Sequence, residues 1–139
     1  MKHPLIDALG LVQHPEGGWY RQSWASGVDV ELADGRVRPT ATLIHFLLPA
    51  GDASGWHKVA SDEIWIAQQG VVVLELGGSG EEPEAEAQHT VGLDVEVGHE
   101  TQVLVPAGTW QRTVPREEDA LVSCVVSPGF DFADFTLLD

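Results

Sequence analysis

The most constraining stretch of this chain is Gly51-Asp-Ala-Ser-Gly-Trp-His57-Lys-Val59-Ala-Ser-Asp62-Glu63-Ile-Trp65-Ile-Ala-Gln-Gln-Gly70. His57 stands six residues after Gly51, Glu63 six after His57, and Gly70 seven after Glu63. Alternate residues of a strand share a face. If 63–67 is a strand, Glu63, Trp65 and Ala67 look one way and Ile64 and Ile66 the other. A carboxylate set among inward apolar side chains is costly in a dry core, so it must face water or line a polar cavity. A histidine beside Trp56 would by itself pass for a structural residue. Paired with Glu63 between two glycines, His57 reads as a second pocket residue.

The rest of the chain is punctuated like an all-β domain. The runs 19–24, 40–48, 63–67, 71–76, 101–105, 110–114 and 120–126 are short, apolar or β-branched, and separated by Gly, Pro or Asp-Gly signals. Asp34-Gly35 marks a hairpin turn. One short helix is predicted at Pro4-Leu-Ile-Asp-Ala-Leu-Gly10. Pro4 suits its first turn, Leu5, Ile6 and Leu9 share a face, and Gly10 can take the left-handed cap. Residues 77–86 read as a flexible, solvated acidic loop.

With 139 residues the chain makes one domain, 1–139, with a real core. Seven Lys and Arg against 22 Asp and Glu leave a formal charge of −15. Nucleic acid and anionic membrane surfaces are repelled by that field and are not expected partners. The single cysteine, Cys124, lies in an apolar run and is expected to be a buried, inert thiol. Met1-Lys-His-Pro has no apolar core behind it, and no apolar run approaches the ~20 residues that span a bilayer, so a cytoplasmic location is expected.

A second pocket motif follows in Pro106-Ala-Gly108-Thr-Trp110-Gln111. Together, the Gly51–Gly70 stretch and Pro106-x-Gly108-x-x-Gln111 resemble the two cupin motifs. The second histidine of the first motif is replaced by Val59, and the histidine of the second by Gln111. Six stretches resemble one branch in particular, cupin family 5, earlier listed as a domain of unknown function. They are Leu11-Val-Gln-His14-Pro-Glu16-Gly-Gly18-Trp-Tyr20-Arg21, Thr42-Leu-Ile-His-Phe-Leu-Leu48, Trp56-His57-Lys, Asp62-Glu63-Ile-Trp65, Val105-Pro-Ala-Gly108-Thr-Trp110-Gln111 and Ser127-Pro-Gly-Phe130-Asp131-Phe132-Ala-Asp134-Phe135. The resemblance implies a double-stranded β-helix, the jelly-roll cupin barrel, and a homodimer. It is distantly similar to the sugar-nucleotide epimerases that work without metal.

On this reading His57, Glu63 and Tyr20 are the candidate catalytic residues, with His57 as base, Glu63 tuning it and Tyr20 as acid. Glu16, Arg21, His45, Trp56, Trp65 and Gln111 are the candidate ligand-binding residues, with Glu16 and Arg21 free to pair or to bind a polar ligand. No resident cofactor is expected. If a divalent ion binds, His57, Glu63 and the amide of Gln111 would hold it weakly, because catalytic metals want about three strong protein ligands. Three functions stay open: a metal-independent isomerase or epimerase acting on a polar, sugar-like metabolite, a pocket that binds a metabolite without chemistry, and a metal-dependent lyase or dioxygenase. Trp19, Trp24 and the phenylalanines of 130–135 are the aromatic surface expected to seal the barrel or a subunit contact.

Overall fold

The architecture was obtained as a computed structural model that describes residues 3–138. The chain opens with helix α1 (Pro4–Leu9), whose His3 cap accepts from the Leu5 N–H and whose Gly10 end adopts the left-handed conformation. Thirteen strands follow among the described residues: β1 (Val12–Gln13), β2 (Trp19–Ala25), β3 (Asp29–Glu31), β4 (Val37–Pro39), β5 (Thr42–Leu48), β6 (His57–Val59), β7 (Asp62–Gln69), β8 (Val72–Leu76), β9 (Ala87–Val91), β10 (Gln102–Val105), β11 (Gln111–Val114), β12 (Ala120–Ser127) and β13 (Phe135–Leu137). The strands form a six-stranded sheet in the order β1-β2-β5-β12-β7-β10 and a five-stranded sheet in the order β13-β6-β11-β8-β9. β3 and β4 make a separate hairpin. The pairings between these strands are antiparallel, and one isolated bridge, Val91 to Glu100, is parallel.

This is the expected all-β jelly roll with one short helix. The core lies between the sheets: Phe46, Leu48, Trp65, Val72, Leu74, Val91, Val103, Val105, Val122 and Cys124 are buried there. The alternation on β7 is as read: Glu63, Trp65 and Ala67 are buried while Ile64 is exposed. A second cluster, Ile6, Leu11 and Leu47, seats α1 on the outer face of the larger sheet, with Trp19 packed beside it. Strands β9 and β13 fall in polar or turn-rich sequence and were not anticipated. The acidic loop 77–86 is more fixed than its composition suggests. Trp110 donates its indole N–H to Gly80 O and its backbone N–H to Gly78 O, anchoring the loop to the start of β11.

Candidate functional site

One end of the barrel holds a small cavity lined by His14, Glu16, Tyr20, Ile44, His57, Val59, Glu63, Val126, Phe130 and Phe135. The larger sheet contributes Tyr20, Ile44, Glu63 and Val126, all on its inner face. The smaller sheet contributes His57, Val59 and Phe135. The loop before β2 contributes His14 and Glu16.

That loop is shaped by close backbone approach. Gly17 has φ +112°, and a Cβ there would sit 2.1 Å from Ala53 O. With glycine in place, the Gly55 N–H donates to Glu16 O at 2.7 Å. Gly55 O in turn lies 2.8 Å from His57 Nδ1. The two sides of the site are thus joined through one residue, Gly55.

His57 faces acceptors at both ring nitrogens: Gly55 O at Nδ1, and Glu16 Oε2 2.6 Å from Nε2. Glu16 Oε2 still lacks a hydrogen bond of good geometry, so this contact is an ion pair held off the N–H axis. Burial alone would lower the His57 pKa. The charge and close contact of Glu16, then the charge of Glu63 and the Gly55 carbonyl, outweigh it and hold the pKa above its ordinary value. An imidazolium places a proton on each ring nitrogen and a positive charge beside Glu16. Phe135 stacks on this ring, with centroids 5.7 Å apart and planes 29° from parallel.

His14 is the opposite case. Its Nδ1 accepts from the Glu16 backbone N–H at 3.1 Å, which puts the proton of the neutral ring on Nε2, 3.4 Å from Glu16 Oε1. Burial, aided by the charge of His57, lowers its pKa despite Glu16, so neutral His14 is favoured.

Glu63 is fixed by a chain of directional bonds. The indole of Trp65 can only donate, and it donates to Gln111 Oε1 at 2.8 Å. That turns the Gln111 amide nitrogen toward Glu63 Oε1, also at 2.8 Å. The Cys124 thiol adds a hydrogen bond. Burial pushes Glu63 up to about 7, with Glu16 reinforcing the rise, and the charge of His57 and the bonds from Gln111 and Cys124 opposing it. The Cys124 thiol is buried and its pKa stands well above the ordinary value, through burial first and then the charges of Glu63 and Glu16.

The structure therefore brings Tyr20, Glu16, His57 and Glu63 together and moves other candidates away. Arg21 and His45 are opposed in register on the outer face of the larger sheet. Arg21 lies over Gly10 and donates to Leu9 O, so it cannot pair with Glu16, whose partners are histidines. Alternation decides this, since Tyr20 points inward and its neighbour must point out. Trp56 faces a separate surface groove, where the Arg112 guanidinium sits 4.5 Å from its ring centre. Trp65 and Gln111 are buried behind the cavity and support Glu63. His14, Phe130 and Phe135 were not among the candidates, although they lie in two of the stretches quoted above. They reach the site through chain reversals that strand periodicity does not show.

The residues present do not fit the metal centre common in cupin barrels. Val59 offers no donor, and the Gln111 oxygen is committed to Trp65. Among the described residues no group of three or more His, Cys, Asp or Glu side chains is arranged to hold a metal ion. Within the set His57, Glu63 and Gln111, Gln111 gives its oxygen to Trp65 and turns its N–H toward Glu63, which leaves no free donor atom of the amide for an ion.

The cavity leaves about 20 Å3 for the centres of water-sized molecules, within about 370 Å3 of empty space counted to its open mouth. The inner part has room for about one water.

Comparison with known proteins agrees with this architecture. A protein of Shewanella oneidensis with a solved structure is 34% identical, with a TM-score of 0.86 over 100% of this chain and 86% of its own. A hypothetical protein from Leishmania major is 32% identical, with a TM-score of 0.85 over 96% of this chain and 84% of its own. An uncharacterized protein of Saccharomyces cerevisiae is 31% identical over 96% of this chain and 73% of its own. The family described as Cupin superfamily (DUF985) matches residues 3–138, and the chain belongs to it.

Proposed function

We propose that the cavity carries out metal-independent proton transfer on a small polar metabolite, of the kind used in isomerisation or epimerisation next to a carbonyl. The observation that carries this reading is Glu63, a buried carboxyl held at about 7 inside a cavity it shares with a His57–Glu16 ion pair. A general base works best when its pKa lies near the operating pH. The geometry favours roles different from those read in the sequence. His57, with acceptors at both nitrogens, is suited to hold a positive charge near the reacting centre rather than to accept a proton. Glu63, one oxygen held by Gln111, is the better base. Tyr20 lines the cavity and is the candidate acid. Binding without chemistry is the alternative, and turnover separates the two.

The test is exchange of substrate C–H for deuterium in heavy water. A panel of neutral and phosphorylated hydroxycarbonyl compounds is followed by NMR, with protein pretreated with a chelator. The expected result is exchange with at least one compound, unchanged by the chelator and reduced at least ~100-fold in Glu63→Gln. Its rate should climb as the pH rises through about 7, because the base must be ionised. Exchange that needs added metal, or no exchange anywhere in the panel, overturns the proposal.

A further inference from the structure

The cavity walls carry two carboxylates and no fixed cation. Among the described residues no Lys or Arg lines it. Arg21 is bound to Leu9 O, Arg38 to Asp134, Arg112 to Glu75, and Lys58 lies over the Trp110 ring. The one positive group inside, His57, is already engaged by Glu16 and Gly55 O. The Glu16 side chain is only 8% exposed, and its Oε2 is left without a well-formed hydrogen bond. Glu63 has one oxygen on Gln111. The two carboxyl groups thus turn open acceptor atoms to the cavity, Glu16 Oε2 and the Glu63 oxygen that Gln111 does not hold. Hydroxyl groups provide donors, whereas a phosphate or carboxylate provides only more acceptors and more negative charge. The apolar remainder, with Ile44, Val59, Val126 and the two phenylalanines, leaves a buried anion no other compensation.

From this we infer that the ligand is an uncharged hydroxylated molecule, a free sugar or small hydroxycarbonyl compound, and that phosphorylated sugars and sugar nucleotides are rejected. The inference rests on the reading that this cavity is where the chain does its chemistry. It separates the chain from epimerases that grip a diphosphate, because the positive groups such a grip requires point elsewhere.

The experiment follows the ring resonances of His14 and His57 by NMR in isotopically labelled protein. The probes are neutral sugars from trioses to hexoses, dihydroxyacetone among them, each against its phosphorylated form, with inorganic phosphate as a control. At least one neutral compound should shift both rings at millimolar concentration. Its phosphate ester should bind at least about tenfold more weakly. Removing one carboxylate, in Glu63→Gln, should narrow that gap. A phosphate ester binding as well as its parent sugar, or no neutral compound shifting the rings, overturns the inference. The two readings fail separately. Glu63-dependent deuterium exchange on a phosphorylated compound would leave proton transfer standing and end charge selection. Binding of a neutral sugar with no exchange of any compound would do the opposite.

Discussion

Ionising Glu63 inside the barrel costs free energy that a surface glutamate does not incur. Its pKa stands at about 7 against an ordinary 4.5, so the folded state holds this proton more tightly than the unfolded chain. Stability from this group is fully present below about pH 4.5 and is lost as the pH rises through about 7, a change on the order of 3 kcal/mol. His57, also raised, acts with the same sign. Glu63→Gln removes the ionisation and still offers an oxygen to the Gln111 amide. Denaturant midpoints should therefore rise for this variant at about pH 8 and differ little at about pH 5. A loss of stability at both would mean the carboxylate is structural. His57→Ala is expected to behave in the contrary way. It strands the Glu16 carboxylate, buried with no cation beside it and only the neutral His14 ring nearby, at a cost of about 3–5 kcal/mol. Adding Glu16→Gln in the same chain should recover much of that loss in urea melts, because the pair, rather than packing, is what was broken.

At the scale of elements, the loop between β1 and β2 positions half of the site. It does so by letting Gly17 approach Ala53 more closely than any side chain allows. Gly17→Ala adds a clash 2.1 Å from a carbonyl oxygen to a positive φ. The expected loss is about 2–4 kcal/mol, with Glu16 drawn away from His57. Thermal melts, with the His57 titration followed by NMR, would read both effects. The pKa of His57 should fall, since the charge that raises it has moved. An unchanged titration would show that the loop is not what places Glu16. The pleat of β2 explains why Arg21 lies outside: Tyr20 pairs with Phe46 and Arg21 with His45, on opposite faces.

On the whole molecule, one surface stands out. Trp24, Leu43, Val125, Ile64 and Leu104 are register neighbours in one row across five strands of the larger sheet, on its outer face. Trp24, Ile64 and Leu104 are 50%, 37% and 55% exposed. No charged residue interrupts this row, in a chain of net charge −15. A second copy is the expected partner for such a row, since two like-charged molecules meet with least repulsion where neither carries charge. Of the aromatic residues expected to seal the barrel or a subunit contact, Phe130 and Phe135 line the barrel cavity and Trp19 packs under α1. Light scattering should give a species twice the 15.0 kDa chain. Ile64→Lys with Leu104→Lys should return it to the monomer without unfolding it. A monomer in the unaltered protein at micromolar concentration would remove this expectation. The described residues contain no helix long and apolar enough to cross a membrane.

The all-β class and the face that Glu63 shares with Trp65 were legible in the residues themselves, and the jelly roll was implied by the family resemblance. Strand alternation, turn residues and motif spacing are local properties, and a period of two assigns faces without knowledge of neighbours. The pairing of the site was not. Spacing joined His57 to Glu63, but the ion pair forms with Glu16, 41 residues earlier in the chain. Only the packing of the 14–18 loop against Ala53–Gly55 brings the two within 2.6 Å. Gln111 likewise appeared as a wall of the pocket and proved to be the strut behind it, because a donor-only indole took its oxygen. Which carboxylate is buried next to which cation depends on distances between segments remote in sequence, and those distances set the charge state on which any chemistry here turns.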